Sequence, residues 1–223
     1  LSSAVKMKPM AIGKTVDEIM AMKFPPTKFI IPELAPVGSM LIAGDSKDGK
    51  SILVLSCFIR DYLDNNPNKN VFMFDVEQYI PEFQDRLAKL GMDHYGSRLK
   101  AMNQEEYNES YRGPEKMMSA LERVLKYGNN GIVLIDTITK CLEGVPDDYV
   151  SIDNFMSRFS YLGKAHDCLI ICNYHTNKTI GANKPQHRIM GSVGFQSSVD
   201  VAMVVERIDP NATKTILTDL KGH

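Results

Sequence analysis

The sequence predicts an α/β fold in which helices flank a mostly parallel β-sheet that ends in a C-terminal antiparallel β extension. The first observation is a G-x-x-x-x-G-K-S motif at residues 44–51, placed between an apolar run at 39–43 and an amphipathic run at 51–63. The second is a set of continuous apolar runs, typical of parallel strands buried on both faces, at residues 71–76, 131–136 and 168–173. The third is that segments with helical periodicity separate these runs, as crossovers between parallel strands require.

Residues 44–51 have the spacing of a P-loop, in which each fixed residue has a physical role. Gly44 and Gly49 let the backbone turn and bring its N–H groups close to phosphate oxygens. Lys50 is predicted to bind the β- and γ-phosphates of a nucleotide, and the hydroxyl of Ser51 to bind Mg²⁺. The complete predicted nucleotide-binding segment is Gly44, Asp45, Ser46, Lys47, Asp48, Gly49, Lys50, Ser51 and Ile52.

The chain is predicted to have two parts. Residues 1–31 form an N-terminal extension with one short helix at 16–22, which the hydroxyl of Thr15 caps. The main domain covers residues 32–223 and begins with an extended apolar segment that leads into the first strand. Because the sequence starts at Leu1 and stops just after a predicted strand, we expect it to be part of a longer protein.

The remaining segments complete the predicted order of elements. Further amphipathic helices are predicted at residues 81–90, 115–127 and 153–166. Additional strands are predicted at residues 98–102, 199–205 and 214–220, the last two joined by a hairpin turn. Polar segments without periodicity are predicted to be loops at residues 103–113, 137–152 and 179–187.

Charged and polar residues follow the predicted parallel strands. Asp75 and Glu77 lie at the end of one apolar run, and Asp136 ends another in the form of a Walker B strand. A carboxylate at this position can hold Mg²⁺ through a water molecule or through Ser51. His175 follows the strand at 168–173. Because the carboxyl ends of parallel strands meet at the ligand-binding edge of an open sheet, we expect Glu77, Asp136 and His175 to lie together.

Composition excludes several classes of protein. The formal net charge of the 223 residues is −1, so the domain as a whole is not a basic surface for nucleic acid. Nucleic acid could bind only through a local patch or through assembly. The four cysteines lack C-x-x-C spacing, which favours buried thiols in a reducing, cytoplasmic compartment. No apolar run approaches the ~18 residues of a membrane span, so no membrane association is expected.

Several motifs together identify a family resemblance. They are Leu34-Ala-Pro-Val-Gly38, the P-loop, Phe74-Asp-Val-Glu77, Leu134-Ile-Asp-Thr137, His175-Thr-Asn-Lys178, and Gly191-Ser192 followed by Val199-Asp200. Over residues 32–221 the chain resembles the RecA-like ATPases, most closely the branch of the RepA-type plasmid replicative helicase and its phage relatives. The resemblance implies a RecA-like P-loop core that forms a homo-oligomer, expected to be a hexameric ring. It also implies ATP and Mg²⁺ as cofactors and single-stranded DNA as a partner.

The resemblance assigns a role to each matching position. Lys50 and Ser51 would hold the phosphates and Mg²⁺, Glu77 would polarise the attacking water, and Asp136 would be the Walker B carboxylate. His175 looks like the sensor of the γ-phosphate. The following segment, residues 176–187, corresponds to the loop that contacts single-stranded DNA in relatives.

Basic residues beyond the sensor have two implied roles. Lys178 and Lys184 are the candidate DNA contacts within residues 176–187. Relatives often read Arg-Gly-Ser where this chain has Met190-Gly191-Ser192. The basic residue offered to the neighbouring subunit's nucleotide is therefore open between Arg188, Arg207 and Lys221. Asp48 is a second departure, since relatives often carry a small or apolar residue there and a carboxylate near phosphates is unfavourable unless it points away.

Two other functions are consistent with the same residues. A nucleotide-dependent assembly switch that acts on protein partners is favoured by the near-neutral charge, whereas Lys178, Lys184, His187 and Arg188 favour a motor on single-stranded DNA. A metabolic kinase is the weakest alternative, because no lid for an acceptor substrate is visible and Glu77 is placed to act on water. Fold alone does not decide between these functions.

Overall fold

The computed structural model describes residues 13–145, 148–176, 197–207 and 215–219. Its main feature is a seven-stranded sheet of order β5-β4-β6-β7-β3-β8-β9. The strands are β3 (Gly38–Gly44), β4 (Asn70–Asp75), β5 (Leu99–Met102), β6 (Asn130–Asp136), β7 (Leu169–His175), β8 (Val201–Arg207) and β9 (Thr215–Asp219). All neighbouring pairs are parallel except β8–β9, which is antiparallel. The predicted fold class, including the antiparallel extension at the C-terminal end, is confirmed.

Helices cover both faces of this sheet. They are α2 (Lys50–Leu53), α3 (Arg60–Asn65), α4 (Ile80–Lys89), α5 (Gln104–Glu106), α6 (Pro114–Tyr127), α7 (Ile138–Cys141) and α8 (Tyr149–Ala165). A π-helical turn, Val54–Ile59, joins α2 to α3, so residues 50–65 form one continuous helical run and the predicted helix is confirmed. No helix in the described parts of the chain has the length and apolar character needed to cross a membrane.

Two predicted loops are wrong. Within residues 103–113 the chain forms α5 and a π-helical turn, because Asn103 and Glu106 make a reciprocal capping box. Within 137–152 it forms α7, and α8 begins at Tyr149 rather than at residue 153. The carboxylate of Asp148 accepts a hydrogen bond from Ser151 N at 3.0 Å and starts that helix early.

The core is divided by the sheet into two apolar clusters. Under the helical run 50–65, the cluster includes Leu55, Ile59, Met73, Leu134 and Ile171. On the opposite face, under α6 and α8, the cluster includes Phe74, Leu121, Ile135, Phe159 and Cys172. Side chains of a strand alternate between faces, so continuous apolar runs such as 131–136 supply both clusters at once.

The N-terminal residues 13–36 lie outside the seven-stranded sheet. Helix α1 (Val16–Ala21) has the predicted Thr15 cap, in which Glu18 N donates to Thr15 Oγ1 at 3.2 Å, and it has no buried residue. Strands β1 (Phe29–Ile31) and β2 (Ala35–Pro36) form a separate antiparallel pair. These strands lie on either side of the predicted boundary after residue 31, which stays a prediction.

Asp200 fixes the first residues of β3 against α8. Its Oδ2 accepts hydrogen bonds from Ser39 N at 2.9 Å and from Ser160 Oγ at 2.7 Å, and its carboxylate pairs with Lys164. Burial opposes the charge, but the hydrogen bonds from Lys164 and Ser160 outweigh it and hold the pKa of Asp200 below its ordinary value. The Val199-Asp200 element therefore positions the strand that carries the P-loop.

Gly163 on α8 allows this close approach. A Cβ at residue 163 would lie 2.2 Å from the carbonyl oxygen of Gly38. We expect Gly163→Ala to lower the free energy of unfolding by about 1–3 kcal/mol, because β3 and α8 must move apart. Chemical denaturation measures this change. Ser157→Ala, at an exposed position of the same helix, is the control and should stay within about 0.5 kcal/mol of the wild type. Equal stability of the two variants would contradict the packing argument.

Candidate functional site

The P-loop joins the carboxyl end of β3 to the start of α2. Gly49 has a φ of +91°, in the left-handed region that favours glycine. Gly44 is required for a different reason, since a Cβ there would lie 2.5 Å from the carbonyl oxygen of Val205 on β8. The loop is therefore held closely against the sheet, with Lys50 and Ser51 in the first turn of α2.

Lys50 is the central residue of the loop. Its side chain lies inside the site, with 4% of the residue exposed. The ammonium donates hydrogen bonds to the carbonyl oxygens of Gly44 at 2.8 Å and Asp45 at 2.9 Å. Burial lowers the pKa of Lys50 below its ordinary value, although the nearby carboxylate of Asp136 opposes the shift. The structure thus places a desolvated cation where the phosphates of a nucleotide are predicted to bind.

Asp48 is held by the loop itself. Its Oδ2 accepts a hydrogen bond from Asp45 N at 2.9 Å, and its own N–H donates to Asp45 O at 3.2 Å. The Asp48 carboxylate, which departs from the pattern of the resembling proteins, therefore has a partner within the loop.

Thr176 holds the loop from the end of β7. Its N–H donates to Gly44 O at 3.1 Å, and its hydroxyl donates to the Asp45 carboxylate.

His175 connects Lys50 to Glu77. It is the last residue of β7, two residues beyond the predicted strand end, and it pairs with Gly44 in the sheet register. Its Nε2 donates to Glu77 Oε2 at 3.2 Å, and its Nδ1 lies 3.2 Å from Lys50 Nζ. A single proton on Nε2 satisfies both contacts, because Nδ1 can then accept from the ammonium. The hydrogen bond from His175 is the main cause that lowers the pKa of Glu77 below its ordinary value.

A row of buried polar side chains lies beside these residues. Asp75, Asp136 and Asn173 have the same register on the neighbouring strands β4, β6 and β7, and we call them the polar row. Their exposed fractions are 1%, 5% and 0%. Arg86 on α4 lies close to two of these side chains. Its Nη1 is 3.8 Å from Asp75 Oδ2 and 3.7 Å from Asp136 Oδ2. Burial raises the pKa of Asp75 to about 6, with a further contribution from the Asp136 charge.

A cleft of about 610 Å³ opens between the P-loop and α4. Lys50, Ser51 and Ile52 form one side, Arg86 and other α4 residues form the other, and Glu77 and His175 also line it. The volume lies within the range of pockets that bind small molecules. The structure therefore brings together the predicted nucleotide-binding residues, the candidate base and the candidate sensor.

Oxygen donors in this site fit Mg²⁺. Ser51 lines the cleft and Asp136 is buried. Within the described residues, no group of three or more His, Cys, Asp or Glu side chains could hold a metal ion by itself. This donor set suits Mg²⁺, which keeps several waters and binds through one or two protein oxygens together with substrate phosphates.

Other predicted site residues are not placed. Lys178, Lys184, Arg188 and Lys221 lie outside the described residues, and Arg207 ends β8 without a described side chain. Arg86 and Asn173 were not predicted from the sequence to belong to the site. A sequence signal exists for Asn173, since a polar residue interrupts an apolar strand, and it is weaker for Arg86, one of several charged residues on an amphipathic helix.

Comparison with known proteins identifies a family for this chain. The model of a family described as AAA domain matches residues 6–181, which is more than half of the chain. The matched region contains the P-loop, Glu77, Asp136 and His175. No curated protein shows significant similarity to the chain.

Proposed function

The chain belongs to the AAA-domain family of P-loop ATPases, and from this premise we propose that it couples Mg²⁺-dependent ATP hydrolysis to action on single-stranded DNA. The coupling would occur at subunit interfaces of a ring, expected to be a hexamer, as in a replicative helicase or a related replication or repair factor. The RepA-type branch of the RecA-like ATPases is the proposed subfamily.

The observation that carries the proposal is the connection from Lys50 through His175 to Glu77. Lys50 is predicted to bind the terminal phosphates, and Glu77 to orient the attacking water. His175 contacts both at 3.2 Å and ends β7 directly before residues 176–187. A change of charge at the γ-phosphate would therefore alter the contacts of a residue that precedes the proposed DNA-binding loop.

The chemistry requires positioning more than covalent participation by the protein. Lys50 would exchange its two carbonyl contacts for phosphate oxygens. Glu77, with its lowered pKa, is charged at neutral pH, so it accepts a hydrogen bond from water and orients it, while acting as a weak base. Mg²⁺, held by Ser51 and through water by Asp136, would neutralise negative charge on the phosphates. A basic residue from a neighbouring subunit, Arg188, Arg207 or Lys221, would complete the site.

Assembly explains how a chain with a net charge of −1 could bind DNA. Two or three phosphate contacts from one copy release few counterions and give weak binding. A ring would bring several copies of Lys178 and Lys184 to one strand, and multivalency would multiply the contacts. We therefore expect salt-sensitive binding of single-stranded DNA by the assembled, nucleotide-bound protein.

The double variant Lys178→Ala, Lys184→Ala tests this step. It should lose single-stranded DNA binding and any DNA-stimulated hydrolysis, measured by fluorescence anisotropy and phosphate release, while basal ATP binding persists. The matched control is Lys116→Ala, Lys126→Ala, which removes the same charge from exposed positions of α6. Equal loss of DNA binding in both double variants would show only a general charge effect.

The assembly switch remains the second candidate because the near-neutral charge favours it. If the wild-type assembly with a non-hydrolysable ATP analogue does not bind single-stranded DNA at low salt, the motor proposal fails. Nucleotide-dependent assembly, measured by mass photometry without DNA, would then support the switch.

A further inference from the structure

We propose that the polar row holds the water shell of the Mg²⁺ ion, with Asp75 and Asn173 as positioning residues on either side of Asp136. The inference rests on the proposed function, in which Ser51 and Asp136 bind the ion. It adds two residues that the P-loop and Walker B patterns do not contain.

Sheet register places the three side chains together. Asp75 pairs with Asp136, and Asp136 pairs with Asn173, so each lies one strand away from the next. Neighbouring strands are about 4.8 Å apart, which makes the row continuous. Met73, Leu134 and Ile171 lie two residues earlier on the same strands and belong to the cluster under residues 50–65. By strand alternation, the polar row is therefore on the face that carries the P-loop helix.

Several atoms of the row lack hydrogen bonds. Within the described residues, Asp75 Oδ2 and both amide atoms of Asn173 are buried without a hydrogen-bond partner. Buried polar atoms are nearly always paired with protein or with ordered water, so these three atoms require an explanation. The four residues of β7 before position 173 are apolar, so an apolar residue would also fit there. The amide is therefore best explained by a polar ligand.

Arg86 accounts for the charges of the two carboxylates in the polar row, but not for its unpaired atoms. Its Nη1 is 3.7–3.8 Å from the two carboxylates, which gives charge compensation but no hydrogen bond. Nη1 is itself buried without a hydrogen-bond partner. Within the described residues, no hydrogen bond joins Arg86 to the side chain of Asn173. The waters bound to a Mg²⁺ ion would donate hydrogen bonds to the two unpaired oxygens of the row, Asp75 Oδ2 and Asn173 Oδ1. Charge compensation by Arg86 therefore does not account for Asn173, whereas a hydrated Mg²⁺ ion does.

Asn173→Val is the decisive variant. The protein is loaded with a non-hydrolysable ATP analogue, and the affinity for Mn²⁺, a paramagnetic substitute for Mg²⁺, is measured by EPR titration. We expect affinity to fall about tenfold or more, the usual effect of losing a residue that orients metal ligands. In buffer without metal and nucleotide, the melting temperature should instead rise by about 2–4 °C, because an unsatisfied buried amide has been removed.

Two further variants distinguish the loss of a positioning residue from a general loss of folded structure. Asn173→Thr has the shape of valine with a hydroxyl and should recover part of the Mn²⁺ affinity. Cys172→Ala, buried on the opposite face of β7, should leave Mn²⁺ affinity unchanged. Unchanged affinity in Asn173→Val, or loss of affinity together with a lower melting temperature, would overturn the inference. If the wild type binds no ATP analogue at all, the proposed function fails instead.

Discussion

Lys50→Ala is expected to abolish ATP hydrolysis and to weaken ATP binding strongly. The Lys50 ammonium is the buried cation of the P-loop, and its carbonyl contacts at 2.8 and 2.9 Å keep it beside the loop amides. Removing one charged donor from a desolvated site costs about 10²–10³-fold in turnover. We expect a larger loss here, because the same residue also contributes to nucleotide affinity and contacts His175.

Binding of a fluorescent ATP analogue and phosphate release measure the two effects of this change. The control is Lys69→Ala, which removes a half-buried lysine that does not line the cleft. Its Nζ donates a hydrogen bond to Oδ1 of Asn129, the residue directly before β6. A melting curve of each variant checks that the fold persists. Wild-type turnover in Lys50→Ala would mean that the P-loop has been assigned to the wrong chemistry.

Glu77→Gln should separate ATP binding from hydrolysis. Glutamine keeps the size of the side chain and an oxygen that can accept from His175 Nε2, a contact of 3.2 Å in the wild type. It removes the negative charge that the lowered pKa of Glu77 maintains at neutral pH. Without this charge the attacking water is poorly oriented, and turnover should fall by about 10²-fold or more while ATP affinity persists.

Single-turnover hydrolysis and equilibrium binding test this separation. Glu82→Gln is the matched control, since Glu82 lines the same cleft but its Oε2 accepts from Tyr79 N at 3.3 Å as part of a helix cap. We expect it to keep most of the wild-type turnover. If Glu77→Gln hydrolyses ATP at the wild-type rate, the catalytic role passes to Asp75 or to another carboxylate.

Most strands of this fold could be predicted from the sequence, because an apolar run within a few neighbouring residues is enough to indicate a buried strand. The apolar runs at 71–76 and 131–136 became β4 and β6 with ends shifted by one residue, since burial on both faces leaves a strong signal. The loop at 103–113 was predicted wrongly because its polar composition outweighed a capping box, Asn103 with Glu106, that starts a helical turn. Short helices of this kind depend on two side-chain hydrogen bonds rather than on periodicity.

The candidate site could be predicted only in part. Glu77 and His175 were expected at one sheet edge from strand ends alone, and the structure places them in contact. The participation of Asn173 and Arg86 could not be predicted, because it depends on register between strands and on the position of α4 over the sheet. Asp75 and Asn173 are nearly a hundred positions apart. The proximity of two such residues leaves no periodic pattern in a single sequence.

The pairing of β3 with β7 limits how His175 could respond to a ligand. Seven consecutive residue pairs join the strands, from Gly38 with Leu169 to Gly44 with His175. Sliding β7 by one position would break this ladder and turn every side chain to the other face, so translation of the strand is far too costly for a cyclic motion. Within β7, the motion that remains available to His175 is rotation of its imidazole ring. The sheet thus holds the backbone of His175 in a fixed position, and amide exchange should be slow along the whole of β7.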